Sequence, residues 1–292
     1  MRAILLLASA ASLASCMRPP PVAGKRLLVV GGNGFVGREV CKNAVINGFS
    51  VTSLSRRGTN PAPDDEHLSQ VTWCSGNALD GATVEKYVGQ ADAVVHAIGL
   101  LFDVQSGLTS LNAYTSASKS VPEAEGPRAS TYDNITRRTA LALIKALKSR
   151  ASRPALLGGT ADGEVPAFAF VSCAEAGWPD VPLGKTVEAV SPDWLKRYLV
   201  AKRAVEAELV ASSGTLRPLI YRPSLIWNWQ KLDVLPAIPI FNLASAVGVP
   251  FVDKTVRVET VGKSIVTGLL DEAVSGVQRY GEMEALARRL DE

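Results

Sequence analysis

Histidine is nearly absent from this chain: His67 and His96 are the only two in 292 residues. The four cysteines, Cys16, Cys41, Cys74 and Cys173, show no C-x-x-C spacing. These scarcities argue against a structural zinc site and against a disulfide framework. Cys41, Cys74 and Cys173 then read as small, reduced core residues, and no metal is expected. An excess of one charge is missing too. With 31 basic and 28 acidic residues the net charge is +3, and the basic residues are scattered singly or in pairs, so nucleic acid is not an expected partner.

Acidic residues are absent before Glu39, and residues 1–24 differ from the rest. Met1 to Ser15 is apolar and small, followed by Cys16, Arg18 and a proline run from Pro19 to Pro21. The apolar core, Ala3 to Leu13, is too short for a permanent anchor. An organelle-targeting presequence, a secretory signal and a lipoprotein signal using L-A-S-C at Leu13 to Cys16 all fit this composition.

After Lys25 the chain alternates strand-length apolar runs with helical segments. Strands are expected at Leu27–Val30, Ser50–Leu54, Val71–Cys74, Ala93–Ala97, Ala167–Ser172 and Leu216–Arg222. Helices are expected at Phe35–Ile46, Gly81–Val88, Tyr132–Lys148 and Trp194–Val210. Strands that are apolar throughout, in turn with helices, predict an α/β fold: a Rossmann-like, doubly wound parallel sheet covered on both faces. Residues 25–225 would form the nucleotide-binding domain and 226–292 a small C-terminal substrate lobe completing it. Asp103–Ser130 and Ser152–Glu164 lack either period and read as loops. Val234–Val252 carries no charge over 19 residues, but Pro236, Pro239 and Pro250 argue against an unbroken transmembrane helix. The run reads as an apolar lobe, a greasy substrate cleft or a membrane-facing patch.

Val29 to Gly37 reads V-V-G-G-N-G-F-V-G. Glycines 31, 34 and 37 fit G-x-x-G-x-x-G; 32, 34 and 37 fit G-x-G-x-x-G. Between a strand and a helix such glycines let the backbone turn sharply and approach a pyrophosphate, which then sits on the free N–H groups of the helix start. The cofactor cradle would be Gly31, Gly32, Asn33, Gly34, Phe35, Val36 and Gly37. The second strand runs into Ser55-Arg56-Arg57-Gly58, with no acidic residue to take the ribose hydroxyls. Arg56 or Arg57, helped by Ser55, would instead grip a 2′-phosphate, so NADP(H) is preferred over NAD(H). Asp80 is placed for the adenine amino group. His96-Ala97-Ile98-Gly99 ends the fourth strand, where His96 reads as structural rather than catalytic and His96, Ala97 and Gly99 are expected along the cofactor, small residues letting the backbone pass beside it. Secretion would take such a domain away from its cofactor, which favours the organelle reading of residues 1–24.

Tyr198 and Lys202 form Y-x-x-x-K. Four residues apart on a helix, they share a face and can meet one ligand. A lysine charge beside the phenol would lower its pKa toward working pH and let it act as an acid to a developing alkoxide. Ser172, at the end of the fifth strand, would bond the same oxygen. The alternative is that Tyr198 and Lys202 hold the cofactor ribose without turnover.

In this order, the glycine turn, H-A-I-G at His96, Ser172, the Tyr198/Lys202 pair and R-P-S at Arg222 to Ser224 resemble the short-chain dehydrogenase/reductase superfamily in its extended or atypical branch, over roughly Lys25 to Asp271. G-G-N-G-F-V-G, S-L-S-R-R-G, Y-L-V-A-K-R-A-V-E-A-E-L and G-K-S-I (Gly262 to Ile265) are similar to a mitochondrial atypical group that includes a dehydrogenase-like member of the coenzyme-Q synthome and, more distantly, the dinucleotide-binding accessory subunit of complex I; plant organellar relatives share the pattern. The resemblance implies bound NADP(H), a matrix or inner-membrane address with a plastid as the other choice, and association with ubiquinone biosynthesis. It carries the cofactor role to Gly31, Gly34, Gly37, Arg56 and Asp80, and catalysis to Ser172, Tyr198 and Lys202; Pro223, in R-P-S, is expected beside the cofactor. Two functions are compatible with it. One is an NADP(H)-dependent oxidoreductase on an apolar, quinone-like or lipid substrate. The other is a cofactor-holding subunit of an inner-membrane protein complex.

Overall fold

The computed structural model describes residues 24–100, 102–106, 129–153, 165–229 and 237–292. The expected presequence lies outside them apart from Gly24, as do most of the first expected loop and residues 154–164 of the second. Seven parallel strands make the central sheet: β1 (Arg26–Val30), β2 (Ser50–Ser55), β3 (Thr72–Ser75), β4 (Ala93–His96), β5 (Ala167–Val171), β6 (Arg217–Tyr221) and β7 (Gly276–Gln278). They lie in the order β3-β2-β1-β4-β5-β6-β7. The order reverses between β1 and β4, where the carboxyl ends of a doubly wound sheet leave a crevice for a ligand.

Alternation along each strand sorts the side chains into two cores. Leu27, Val29, Val95, Ala167, Ala169 and Tyr221 face α1 (Phe35–Ile46), α7 (Val258–Leu270) and α8 (Tyr280–Asp291). Leu28, Val30, Val94, Phe168, Phe170 and Ile220 face α2 (Gly81–Val88), α3 (Thr139–Ala151) and α5 (Asp193–Ala211). Fully burying a side chain of this size is worth roughly 1.5–3 kcal/mol, so both layers are held by the sheet they cover.

The G-K-S-I stretch has a packing reason. A Cβ on Gly262 would stand 2.7 Å from the Glu39 Cβ, so the glycine lets α7 press against α1. Two residues on, the Ser264 carbonyl accepts the Tyr221 hydroxyl at 3.1 Å.

Three elements differ from expectation. The stretch 132–148 is not one regular helix: a π turn, Asp133–Arg138, leads into α3. Thr139 Oγ1 there donates to the Ile135 carbonyl at 2.5 Å and meets His96 Nε2 at 2.9 Å. The short strand β7 carries no apolar run and joins β6 only through tertiary pairing. Residues 226–292 divide: α7, β7 and α8 complete the main sheet layers, whereas α6 (Ala237–Ala246) and the paired segments Ile226–Trp227 and Val256–Arg257 sit beside a cavity at the carboxyl ends of the strands. Pro239 falls in the first turn of α6, where its missing N–H costs no intrahelical bond. Among the described residues no helix is long and apolar enough to cross a membrane.

Candidate functional site

Gly31 leaves β1 at φ +95°, and a Cβ there would lie 2.9 Å from the Ala97 carbonyl group and the Ile98 nitrogen. The turn is fixed by Gly31 N donating to Leu54 O at 2.9 Å and Gly34 N to Gly31 O at 2.9 Å. Gly34 caps α1 without a side-chain hydrogen bond, and no acidic residue lies in the first turn. The helix start therefore keeps its positive end for a ligand. At Gly37 a Cβ would lie 2.2 Å from the Gly31 carbonyl oxygen. These three positions make 31/34/37 the set that shapes the turn. Gly32 is tight for another reason, since its Cβ would meet Ser53 Oγ at 2.2 Å.

A cavity of about 680 Å³ opens over this turn. Of the expected site residues, it is lined by Gly31, Asn33, Gly34, Phe35, Val36, Ser55, Arg56, Arg57, Ala97, Gly99, Ser172, Tyr198, Lys202 and Pro223. Gly32, Gly37, Asp80 and His96 are not on its wall. Asp80 instead caps α2, its Oδ2 accepting from Thr83 N at 2.9 Å and Thr83 Oγ1 at 2.5 Å. His96 is fully buried, packed against Phe170 at a ring-centroid distance of 5.6 Å and bonded to Thr139. Burial, with the Lys202 charge adding to it, lowers its pKa to about 3, so the ring is neutral.

The cradle fits a dinucleotide. Asn33 ties it to the next loop by donating its Nδ2 to the Thr59 carbonyl, while its buried Oδ1 has no partner among the described residues. Gly58, at φ +63°, closes the turn after β2, and its N–H donates to Ser55 Oγ at 3.0 Å, which leaves Arg56 and Arg57 exposed at that rim.

The catalytic candidates come together on one wall, but their bonding differs from expectation. Ser172 Oγ donates to Glu206 Oε1 at 2.5 Å and is buried. Glu206 is itself clamped by Arg222, with Nη2–Oε2 at 2.6 Å and Nε–Oε1 at 3.1 Å. Lys202 Nζ donates to the Val171 carbonyl at 2.6 Å and lies 4.9 Å from the Phe170 ring centroid and 5.4 Å from that of Tyr198. Burial lowers the Lys202 pKa to about 8. The phenol of Tyr198 is not lowered by this lysine: burial first, then Cys173 and Glu175, push it well above the ordinary tyrosine value. Burial of the phenol dominates, and Lys202, 5.4 Å from its ring centroid, donates to a backbone carbonyl.

Glu206, Cys173 and Glu175 had no part in the site expected from the sequence. Glu206 could have been found, because it continues the Tyr198/Lys202 face by one more turn and is a buried charge in an apolar stripe. The far wall of the cavity is apolar and aromatic: Trp178, Trp194, Leu195, Ile226, Phe241 and Phe251. Its two carboxyl groups are Glu175 and Asp253, and Asp253 is held by Arg279 at 2.8 Å.

Residues 27–121, the stretch that carries β1 to β4 and this cradle, match the model of the NAD dependent epimerase/dehydratase family. The chain is similar to MIOREX complex component 2 of Saccharomyces cerevisiae, 26% identical over 225 residues that cover 72% of this chain and 76% of that protein. Among solved structures it shares its fold with ElxO with NADP bound (TM-score 0.56, 15% identity, 87% of this chain and 96% of that one). It shares it also with the UDP-N-acetylglucosamine 4-epimerase of Methanobrevibacter ruminantium in complex with UDP-N-acetylmuramic acid (TM-score 0.57, 18% identity, 88% and 76%).

Proposed function

We propose that the chain is an NADP(H)-dependent oxidoreductase acting on a neutral, apolar carbonyl compound of quinone type in an organelle, the mitochondrion by its resemblance. One observation carries the reading. A single cavity joins the glycine cradle and the Arg56/Arg57 rim to Tyr198 and Lys202, and continues into an aromatic wall whose ionisable groups are carboxyls. Such a wall favours a neutral apolar ligand over a nucleotide sugar, whose phosphates would find no cation lining that half among the described residues. Gly31, Asn33, Gly34 and the start of α1 would hold the pyrophosphate, and Arg56 with Arg57 the 2′-phosphate. Bound NADP(H) supplies hydride exchange; Tyr198 holds the proton nearest the aromatic half, and Lys202 fixes its ring from below.

Two measurements test this. Incubated with NADPH and a panel of quinones, ketones and UDP-sugars, the protein turns over the neutral carbonyl compounds, and Tyr198→Phe lowers kcat by about 10²–10⁴-fold. Undiminished turnover in Tyr198→Phe, or turnover of UDP-sugars alone, removes the reading. In direct titrations Arg56→Ala weakens NADPH by roughly 10- to 100-fold and leaves NADH unchanged, the share of one charge-assisted phosphate contact. Equal losses for both nucleotides would mean the arginine reads no 2′-phosphate.

A second reading is a nucleotide-holding subunit of an organellar assembly. The engagement of Ser172 by Glu206 and of Lys202 by the Val171 carbonyl favours it, and the yeast relative is named as a complex component. Nucleotide that co-purifies tightly, with no turnover by wild type or Tyr198→Phe, supports this reading over the first.

A further inference from the structure

With Ser172 bonded to Glu206, its hydroxyl proton is not offered to a ligand in the cavity. Around Tyr198 stand Cys173 and Glu175, both on the cavity wall, while Tyr132 packs edge-on against its ring at 5.3 Å and is not on that wall. Glu175 sits in the 3₁₀ turn Ala174–Asp180 that follows β5. That turn is anchored from three sides. Ala174 N donates to Pro223 O at 2.8 Å, Arg203 Nε donates to Ala176 O at 2.9 Å, and Trp178 Nε1 donates to Phe251 O at 2.9 Å. Arg203 is the cation nearest in chain contact, yet its Nη2 reaches only the Glu175 carbonyl at 3.3 Å. Its charge is taken by both carboxyl oxygens of Glu188, each at 2.7 Å. The Glu175 carboxyl has the Cys173 thiol as its side-chain neighbour.

We propose that the carboxyl of Glu175, on the same cavity wall as Tyr198, is the second hydrogen-bond donor to the substrate oxygen, in the place first expected for Ser172. The inference rests on the reading of the cavity as a site for a carbonyl compound. No covalent step is assigned to Glu175: its proton stays on the carboxyl while the substrate oxygen takes hydrogen bonds from it and from the phenol. Its place on the cavity wall with Tyr198 and Cys173 provides the position, and the surroundings favour the protonated acid over the anion. Burial pushes its pKa above the ordinary glutamate value, against opposing hydrogen bonds from its own backbone and from Cys173, and the Asp253 charge adds the smallest upward push. The groups facing it from the packed elements are Cys173 on its own loop, Tyr198 and Arg203 from α5, and Asp253 before the segment Val256–Arg257. Lys202 lies behind Tyr198 and titrates near 8. A donor carboxyl also gives the otherwise apolar wall a polar point to which a carbonyl or quinone oxygen can accept a hydrogen bond.

The experiment uses the full chain and reads binding, not turnover. Menadione, a neutral quinone, is titrated against the fluorescence of Trp178 and Trp194, which line the cavity. The donor exists below the Glu175 pKa and is lost as pH rises through it. Wild-type affinity is therefore expected to fall about tenfold between pH of about 5 and about 9, the worth of one hydrogen bond to a developing acceptor. Glu175→Gln keeps a donor without a titrating proton, so its affinity stays within about threefold of the low-pH wild type and the pH limb disappears, apart from any part due to Lys202. Glu175→Ala binds weakly at every pH. A wild-type pH limb that survives intact in Glu175→Gln, or the absence of quenching in all three proteins, overturns the proposal. Quenching with the Glu175 signature but no turnover leaves this inference standing and removes the oxidoreductase reading; turnover that depends on Tyr198 without that signature does the reverse.

Discussion

Gly31→Ala is expected to cost the protein its nucleotide, with an affinity for NADPH lower by about 100-fold or more. Two terms add. At φ +95° a side chain sits in the left-handed region, which costs on the order of 1–3 kcal/mol for a non-glycine residue. The added Cβ would also lie 2.9 Å from three backbone atoms of Ala97 and Ile98, and backbone cannot swing aside as a side-chain tip can. The turn must open, and the amides that start α1 move with it; displacements of about 1 Å at such a site typically cost 10²-fold. Calorimetry with NADPH checks the affinity, and thermal melting separates it from general unfolding. Gly281→Ala, where nothing lies within 4 Å of the added Cβ and the chain is helical, is the control and is expected to change stability by less than about 0.5 kcal/mol. Equal NADPH affinity in Gly31→Ala and wild type would show that this turn does not carry the pyrophosphate.

The largest stability loss is expected at Glu206. Its carboxylate is the centre of a buried group in which Ser172 and Arg222 are bonded to each other only through it. Glu206→Ala strands a guanidinium whose side chain is 15% exposed. Removing one partner of such a pair costs about 3–5 kcal/mol, because a buried charge is left uncompensated. For a chain of this size that is a fall in Tm of roughly 10 °C. Glu206→Gln keeps the acceptor and loses only the charge, so a smaller loss is expected. The group also joins three elements that floor the cavity: Ser172 follows β5, Arg222 follows β6 and precedes Pro223, and Glu206 stands one turn beyond Lys202 on α5. The alanine variant is therefore expected to weaken nucleotide binding as well as to melt early. A Tm within about 2 °C of wild type would mean the pair is replaceable by solvent.

The sheet was legible because its signal is local. Apolar runs such as Leu27–Val30 and Ala167–Val171 announce buried parallel strands, and the glycines at 31, 34 and 37 leave their steric reason in the sequence. The illegible parts depend on partners far along the chain. Gly276–Gln278 becomes a strand only because the edge of β6 is open to it. The helix expected at 132–148 begins as a π turn, and Thr139, just after it, is held by His96, 43 residues away. Asp80, expected beside the adenine, also serves as the N-cap of α2, a role its residue type favours. In the same way Y-x-x-x-K located Tyr198 and Lys202 on the cavity wall but not their charges. The lysine's bond to Val171 and the acids before the tyrosine depend on how β5 and α5 meet. Arg222 and Glu206 were both inside quoted motifs, and only their meeting in space made them a pair.

The contrast of small and large residues along β5 has a further consequence. Ala167 and Ala169 lie under α7, whereas Phe168 and Phe170 lie under the opposite helices. A strand buried on both sides usually tolerates sliding more than a half-exposed one, since either face is apolar. Here a one-residue slip would drive two phenyl rings into a gap sized for methyl groups and leave two voids behind. The strand thus acts as a ruler with a single permitted setting, and whatever begins at Ser172 begins at the same depth in every folded molecule.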